Sequence, residues 1–252
     1  MPAPIALQLY TVRDALAEDF VGGVRKVAAI GYVGVEPAGF PGTTVREAAG
    51  LFRELGLAVP SAHTPLPLGE QKNQVLDAMG ELGCTRIISG RGPDYFRTLG
   101  QIAQTCELFN QANAVALEHG LRFGIHNHWW EFLRVEGRPV YQVMLEHLEP
   151  DVFFEIDTYW AKTAGADPAQ VLRELGSRAP YLHIKDGPAM QGEPQVAVGE
   201  GVMDVPALVA AGGKTTEWLI VELDHCATDM MVAVQRSYAY LVGEGLARGR
   251  TR

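Results

Sequence analysis

The strongest constraint on the fold is a regular alternation of short β-type runs with longer segments of helical period. Eight short apolar runs, rich in β-branched and aromatic residues, are spaced along the whole chain. Such alternation favours parallel strands that are joined by helical crossovers. We predict strands at 5–9, 33–36, 58–62, 86–89, 122–126, 152–156, 181–184 and 219–223.

Helical segments with recognisable ends fill the spaces between these runs. Gly56, Gly83 and Gly120 each follow a segment of helical period, and glycine is favoured directly after a helix because it adopts positive φ without strain. Asp167 and Pro168 form an N-cap followed by proline at the first helical position. We predict helices at 20–30, 45–55, 71–82, 94–119, 167–175 and 230–246.

The length of the chain fits one barrel. It has 252 residues, of which 47% are hydrophobic, and a (β/α)8 barrel takes about 250 residues. Because no linker or change of composition divides the chain, we predict a single α/β domain over 1–252 with the (β/α)8 TIM barrel architecture. A doubly wound open sheet is the alternative, although no GxGxxG motif follows the first strand to support dinucleotide binding.

Charge and cysteine content narrow the classes of partner. The formal net charge of -9 argues against binding to nucleic acid through phosphate contacts. The chain has neither an apolar run of the roughly 20 residues that a membrane-spanning helix needs nor a signal-peptide pattern. Cys84, Cys106 and Cys226 are far apart and odd in number, which fits a reducing compartment. We therefore predict a cytoplasmic protein with a small-molecule partner and no nucleic-acid or membrane partner, and a homo-oligomer stays open.

Histidines and carboxylates gather at the ends of the predicted strands, where barrel enzymes build their active sites. Charged groups there are costly to bury unless they are paired or bound to a metal. Imidazole together with carboxylate suits Zn, Mn, Fe or Co, so the pattern indicates a divalent metal site. The histidines are His63, His126, His128, His183 and His225, and the carboxylates are Glu36, Glu131, Asp157 and Glu222.

Seven segments, taken together and in order, resemble the xylose-isomerase-like TIM barrel superfamily, and within it the sugar phosphate isomerase/epimerase family. The resemblance covers nearly the whole chain. The segments are LQLYTVRD (7–14), GYVGVEPAGF (31–40), HNHWWEF (126–132), FEIDTYWAKTAGADP (154–168), LHIKD (182–186), VGEGVMD (198–204) and VELD (221–224).

This resemblance implies one divalent metal ion held by ligands from strands five to eight. Manganese is the first expectation, and Zn, Mg and Co are also compatible. Asp157, His183 and Glu222 match the family's ligand positions in strands six, seven and eight.

The fifth-strand ligand is the point where this chain departs from the family pattern. Epimerases of this fold carry a glutamate inside the strand, where this chain has Ile125 or His126. The nearest glutamate is Glu131, which we expect to be the fourth ligand, and His128 is the substitute candidate.

The resemblance also implies an isomerase or epimerase that acts on a sugar or sugar-like polyol or keto substrate through an enediolate. Glu131 and Glu222 are the expected acid and base, and His128 and Lys185 are expected to guide protons. Trp160 follows Asp157 by three positions in a segment where epimerases of the ketohexose type carry a histidine, which weakens transfer of their substrate specificity. The expected substrate-binding residues are Tyr10, Glu36, His63, His126, Trp160 and Glu200.

Three alternatives remain at this stage. The same enolate chemistry can expel a β-hydroxyl, so a metal-dependent dehydratase or lyase acting on a keto-sugar or keto-inositol is a neighbouring hypothesis. A non-catalytic sugar-binding or partner subunit is the second. An apurinic endonuclease-like nuclease is the third, and the shortage of basic residues argues against it.

Overall fold

In the computed structural model, which describes residues 1–250, eight parallel strands form a nearly closed barrel surrounded by helices. Strands adjacent in sequence are adjacent in the barrel, and the first strand pairs with both the second and the last. This is the (β/α)8 TIM barrel that the sequence predicts. The strands are β1 (Ile5–Gln8), β2 (Gly34–Glu36), β3 (Ala62–His63), β4 (Arg86–Ser89), β5 (Arg122–His126), β6 (Phe153–Asp157), β7 (Tyr181–Ile184) and β8 (Trp218–Val221).

The barrel closes least regularly between β2 and β3. The predicted third strand at 58–62 is an isolated bridge at Ala58, followed after a break by β3. Pro60 lies in that break and has no N–H to donate to a neighbouring strand. The Val35 amide donates to the Ala58 carbonyl at 2.9 Å, and the Ala58 amide donates to the Val33 carbonyl at 3.0 Å. This seam therefore has few ladder hydrogen bonds.

Six of the helices agree with the predicted segments, among them the 8-residue helix Pro168–Leu175, and the other four short helices were not predicted. The predicted helices at 20–30 and 71–82 have the bounds of α2 and α4, whereas the predicted helix at 94–119 is a 3-10 turn at Pro93–Phe96 followed by α5. None of the helices in residues 1–250 has both the length and the apolarity to cross a membrane. The helices are α1 (Arg13–Glu18), α2 (Phe20–Ile30), α3 (Val45–Glu54), α4 (Gln71–Leu82), α5 (Leu99–Glu118), α6 (Val140–His147), α7 (Thr158–Thr163), α8 (Pro168–Leu175), α9 (Val205–Gly212) and α10 (Met230–Gly243).

The strands alternate between an outer face against the helices and an inner face toward the barrel axis. In β6, Phe154 and Ile156 pack outward with Leu175 of α8. Glu155 and Asp157 share the opposite parity and are fully buried. Burying two successive charged groups on the inner face costs much free energy unless each has a charged or hydrogen-bonding partner. Side chains at the carboxyl end of the barrel provide those partners.

A separate apolar cluster fills part of the inner barrel. Ala6, Ile88, Phe153, Tyr181 and Ile220 pack together, and all five are buried. Gly124 lies beside them, because a Cβ atom at this position would collide with the Phe153 ring. The inner barrel thus has an apolar layer, and the buried charges are concentrated toward the carboxyl ends of the strands.

Candidate metal centre

Four side chains from four neighbouring strands meet at the carboxyl end of the barrel. His126 and Asp157 end β5 and β6, His183 lies in β7, and Glu222 follows β8. One ligand atom from each of them lies within 4.8 Å of the others, and all four residues are buried. Parallel strands place their carboxyl ends at one rim, so residues far apart in sequence become neighbours. We call these four residues the metal cluster.

The donors of the metal cluster fit a divalent cation. His126 Nε2 and Asp157 Oδ2 are both buried and have no hydrogen-bond partner of good geometry. Burial, together with the charge of the neighbouring His183, lowers the pKa of His126 and favours its neutral imidazole. The carboxylates around His183 outweigh its burial and raise its pKa well above the usual value, so a metal bound at His183 would displace a proton. Two imidazoles with two carboxylates suit Zn, Mn, Fe or Co.

His183 is fixed by carboxylates on both ring nitrogens. Its Nδ1 lies 2.7 Å from Glu222 Oε2, and its Nε2 lies 2.7 Å from Glu36 Oε2 and 3.1 Å from Glu155 Oε2. A carboxylate on the remote nitrogen fixes the orientation of a metal-ligating imidazole. Glu36, which we expected to bind substrate, is fully buried and also accepts a hydrogen bond from Gln8 Nε2 at 2.8 Å. The structure places Glu36 against the His183 ring, with no surface exposed to solvent.

The ammonium group of Lys185 lies beside both carboxylates of the metal cluster and beside Asp224. Its Nζ lies 2.9 Å from Asp157 Oδ2, 2.8 Å from Glu222 Oε2 and 2.6 Å from Asp224 Oδ2. Burial opposes the charge of Lys185, but these carboxylates outweigh it and raise its pKa well above the usual value. The Trp160 ring, whose centroid is 5.2 Å from Nζ, covers the ammonium. Lys185 therefore remains a fixed positive charge inside the barrel.

His63 separates these buried groups from solvent. Its Nε2 lies 2.6 Å from Glu155 Oε2, and its side chain is 22% exposed while that of Glu155 is fully buried. Burial opposes protonation of His63, but the charges of Glu36 and Glu155 outweigh it and raise the pKa of the imidazole. A histidine that is held by a buried carboxylate and open on one side has the geometry of a proton-transfer group.

A cleft reaches the metal cluster from the side of β3, β4 and β5. His128 stacks on Trp130 in this cleft with ring centroids 4.2 Å apart, and it meets His126 edge-on at 5.0 Å. Burial lowers the pKa of His128 to about 3, so its ring is neutral at physiological pH. The part of the cleft nearest the cluster has a volume of about 290 Å³ and is lined by His63, Ser89, Gly90, Arg91, Gly92, His126, His128 and Trp130.

A family model described as "Xylose isomerase-like TIM barrel" matches residues 24–230 of this chain. The chain belongs to the xylose isomerase-like TIM barrel family. Comparison with curated protein sequences gave no significant match.

Solved structures share the complete fold of this xylose isomerase-like barrel at low sequence identity. A sugar phosphate isomerase/epimerase from Parabacteroides distasonis ATCC 8503 superposes with a TM-score of 0.84 at 24% identity, covering 98% of this chain and 96% of that one. The probable 3-DHS dehydratase AsbF from Bacillus anthracis gives 0.75 at 12% identity, covering 95% and 98%. The IOLI protein with a bound zinc atom gives 0.72 at 12% identity, covering 97% and 99%.

Glu131 does not face the metal cluster of this xylose isomerase-like barrel. It lies in a 3-10 turn after β5, and its Oε2 accepts the His128 amide at 2.9 Å. Its side chain borders a closed space of about 10 Å³ that is shared with outward-facing Ile125 and Ile156. The turn therefore directs Glu131, which we expected to be the fourth ligand and a catalytic carboxylate, behind the strands and outside the metal cluster. His126, which we expected to bind substrate, is the residue of β5 that lies in the metal cluster.

Two further predicted residues lie at the edge of the site or away from it. Tyr10 is 43% exposed, and the Arg13 guanidinium lies 4.2 Å above its ring centroid. Glu200 is 44% exposed on its side chain, and its Oε1 lies 3.4 Å from Arg236 of α10. Glu200, which we expected to bind substrate, pairs with a surface arginine in this structure.

Sequence reasoning gave no role to Glu155 and Asp224, although both contact the buried cations. Glu155 shares the strand parity of Asp157 in the segment FEID, and Asp224 has that relation to Glu222 in VELD. Because residues two apart in a strand point the same way, parity was the signal that could have found them.

Proposed function

We propose that this chain is a divalent-metal-dependent isomerase or epimerase of a small sugar or sugar-like polyol that carries a carbonyl group. The observation that carries the proposal is the meeting of four donors from four adjacent strands, His126, Asp157, His183 and Glu222. A bound divalent cation polarises a carbonyl group and stabilises the negative charge that develops when a neighbouring carbon loses a proton. Mn is our first candidate, and Zn, Mg or Co would suit the same donors.

We assign proton transfer, positioning and substrate contact to separate side chains around the metal cluster. Glu222 is our candidate for the base that removes the proton, since nearby Lys185 and His183 keep it ionised. His63, held by Glu155 and open to the cleft, is the candidate for returning the proton. Lys185 keeps Asp157 and Glu222 in place with its fixed charge, and His128 with Trp160 would contact the substrate near the cleft.

A dehydratase or lyase is the second candidate, and the His63–Glu155 pair is the observation that favours it. After proton removal, loss of a hydroxyl group from the next carbon needs an acid to protonate the leaving oxygen. Burial opposes protonation of His63, but the charges of Glu36 and Glu155 outweigh it and raise its pKa, which favours the protonated form that an acid needs. The probable dehydratase among the structural neighbours is consistent with this chemistry.

The first test is metal content. Protein purified without chelator, and then supplied with Mn²⁺ or Zn²⁺, is expected to hold about one ion per chain by elemental analysis. Asp157→Asn should lose the ion, because it removes an anionic donor from the metal cluster. Asp151→Asn, an exposed site before β6, is the matched control and should keep it. If the wild type binds neither ion, the metalloenzyme proposal fails.

The second test is the reaction class. Metal-loaded protein is incubated in D₂O with a panel of ketoses and inososes, and the products are followed by NMR and mass spectrometry. Deuterium at a carbon next to the carbonyl, in a product with the substrate's composition, supports isomerase or epimerase activity. A product lighter by one water supports the lyase. Binding without deuterium uptake or turnover would instead identify a sugar-binding subunit.

A further inference from the structure

A cavity of about 590 Å³ adjoins the candidate site but is not used by the proposed reaction. It lies between the loop after β2, the start of α3, the loop after β3, and α4. Pockets that hold organic ligands measure about 300–1,000 Å³. We call it the Phe40 pocket, and its apolar lining includes Phe40, Val45, Pro65, Val75 and Ala78.

The Phe40 pocket adjoins the cleft that reaches the metal cluster, and the two spaces share one lining side chain. His63 lines the Phe40 pocket and also the part of the cleft that contains His126 and His128. A third space of about 490 Å³, lined by His63, Leu68 and Arg91 among others, connects the two. A single extended ligand can therefore contact both ends of the cleft.

The charges around the Phe40 pocket specify what it can hold. Its ionisable lining residues besides His63 are Asp77 and Glu81, and no lysine or arginine within residues 1–250 lines it. Glu81 is paired with Arg46 at 2.5 Å, which leaves Asp77 as the unpaired acidic group of the lining within the described residues. Apart from His63, no lining side chain of the Phe40 pocket among residues 1–250 offers a positive charge that would bind phosphate or carboxylate. Apolar walls favour an uncharged aryl or alkyl group.

We propose that the substrate has two parts: a polyhydroxy part that reaches His63 and the metal cluster, and an uncharged apolar substituent that fills the Phe40 pocket. This inference rests on the proposed function and specifies its substrate class as a sugar conjugate with an apolar group. Ala78, on the face of α4 that lines the pocket, sets the space available to that substituent.

The test compares two probes that differ only in the substituent, the phenyl and the methyl β-glycoside of a keto-glucose, each of which carries the carbonyl group of the proposed substrate. Binding to the Mn²⁺-loaded full chain is measured by titration calorimetry. Burial of the phenyl ring predicts at least about tenfold tighter binding than for the methyl probe. Ala78→Trp fills the pocket and should bring the phenyl affinity down to the methyl value while leaving the methyl affinity unchanged.

Two further variants keep this result interpretable. Asn73→Trp adds the same side chain on an exposed position of α4 that does not line the pocket, and it should retain the phenyl preference. Phe40→Ala removes one wall and should reduce the preference without adding bulk. Equal affinity for the two probes, binding of neither, or tighter binding of a glucose phosphate than of the phenyl probe overturns the proposal. Metal content and deuterium uptake are measured separately, so failure of the proposed function is distinguishable from failure of this inference.

Discussion

Glu131 and Glu222 are both buried carboxyl groups near the same rim of the barrel, yet their pKa values are shifted in opposite directions. Burial would raise the pKa of Glu222, but Lys185 and His183 outweigh it and hold that pKa well below the usual value. Glu131 has no such partners, and burial raises its pKa to about 8. The partner, more than the depth of burial, decides whether a buried carboxyl group is charged.

The two carboxyl groups also lie on opposite sides of the barrel wall. Glu222 faces inward to the metal cluster, whereas Glu131 faces a small apolar space against the outer surface of β5 and β6. Of these two carboxyl groups, the inner one, Glu222, is therefore the one whose negative charge can attract a cation. Burial favours the protonated, neutral form of the outer group, Glu131.

Substitution of Lys185 is expected to have the largest effect on stability among the tests of this comparison. Lys185→Met leaves Asp157, Glu222 and Asp224 without their shared ammonium, and breaking buried ion pairs in this way costs about 3–5 kcal/mol. We expect that loss in urea unfolding of the metal-free protein. Added Mn²⁺ should restore part of it, because a bound cation supplies positive charge to the same oxygens.

Lys162→Met is the control for this experiment, because Lys162 is an exposed lysine of α7. It should change the free energy of unfolding by less than about 0.5 kcal/mol. Equal stability of the two variants would mean that Lys185 is not what keeps Glu222 ionised, and the contrast with Glu131 would lose its explanation.

Glu131→Gln tests whether Glu131 is protonated in the folded protein, through the pH dependence of the free energy of unfolding. Between pH 4.5 and about 8 the folded protein keeps a proton on Glu131 that the unfolded chain has released. This contribution to stability is fully present below pH 4.5 and is lost as pH rises through the folded pKa, with a slope of up to about 1.4 kcal/mol per pH unit. Glu131→Gln should remove that slope, so its stability relative to wild type rises with pH.

Urea unfolding at several pH values measures this slope directly. Glu118→Gln, at an exposed position of α5, should follow the wild type at every pH. If Glu131→Gln also follows the wild type, Glu131 is ionised in the folded protein despite its apolar surroundings.

The smallest expected effect is at Glu200, an exposed carboxylate. Its ion pair with Arg236 is separated by 3.4 Å, and both side chains are about half exposed. Glu200→Ala should therefore change the free energy of unfolding by less than about 1 kcal/mol and leave Mn²⁺ affinity unchanged. A loss of Mn²⁺ affinity in calorimetry would show that the loop around Glu200 contributes to the site.

The sequence predicts the barrel well because the two periodicities are strong and local. The strands at 86–89, 122–126 and 181–184 have the predicted bounds. The short helices α1, α6, α7 and α9 have only 6 to 8 residues, which is too few for a clear helical period. The third strand is shorter than predicted because Pro60 interrupts it.

The candidate site is less predictable because the direction of a side chain after a strand depends on the turn that follows. Alternation along β6 and β7 places Asp157 and His183 on the inner face, as the resemblance implies. Beyond the end of β5 the alternation stops, and the turn that directs Glu131 outward leaves no periodic signal. Sequence alone therefore did not distinguish His126 from Glu131 as the fourth donor of the proposed metal site.

The sparse seam between β2 and β3 has a consequence for motion. Local opening of a fold costs least where few hydrogen bonds and contacts must be broken, and amide protons exchange fastest there. The loops that follow β2 and β3 are the ones that border the Phe40 pocket. The sparsely hydrogen-bonded seam thus lies beside the Phe40 pocket, whereas side chains that follow or end β6 to β8 are joined by the buried ion pairs of Lys185 and His183. We expect local opening at the seam to widen the pocket.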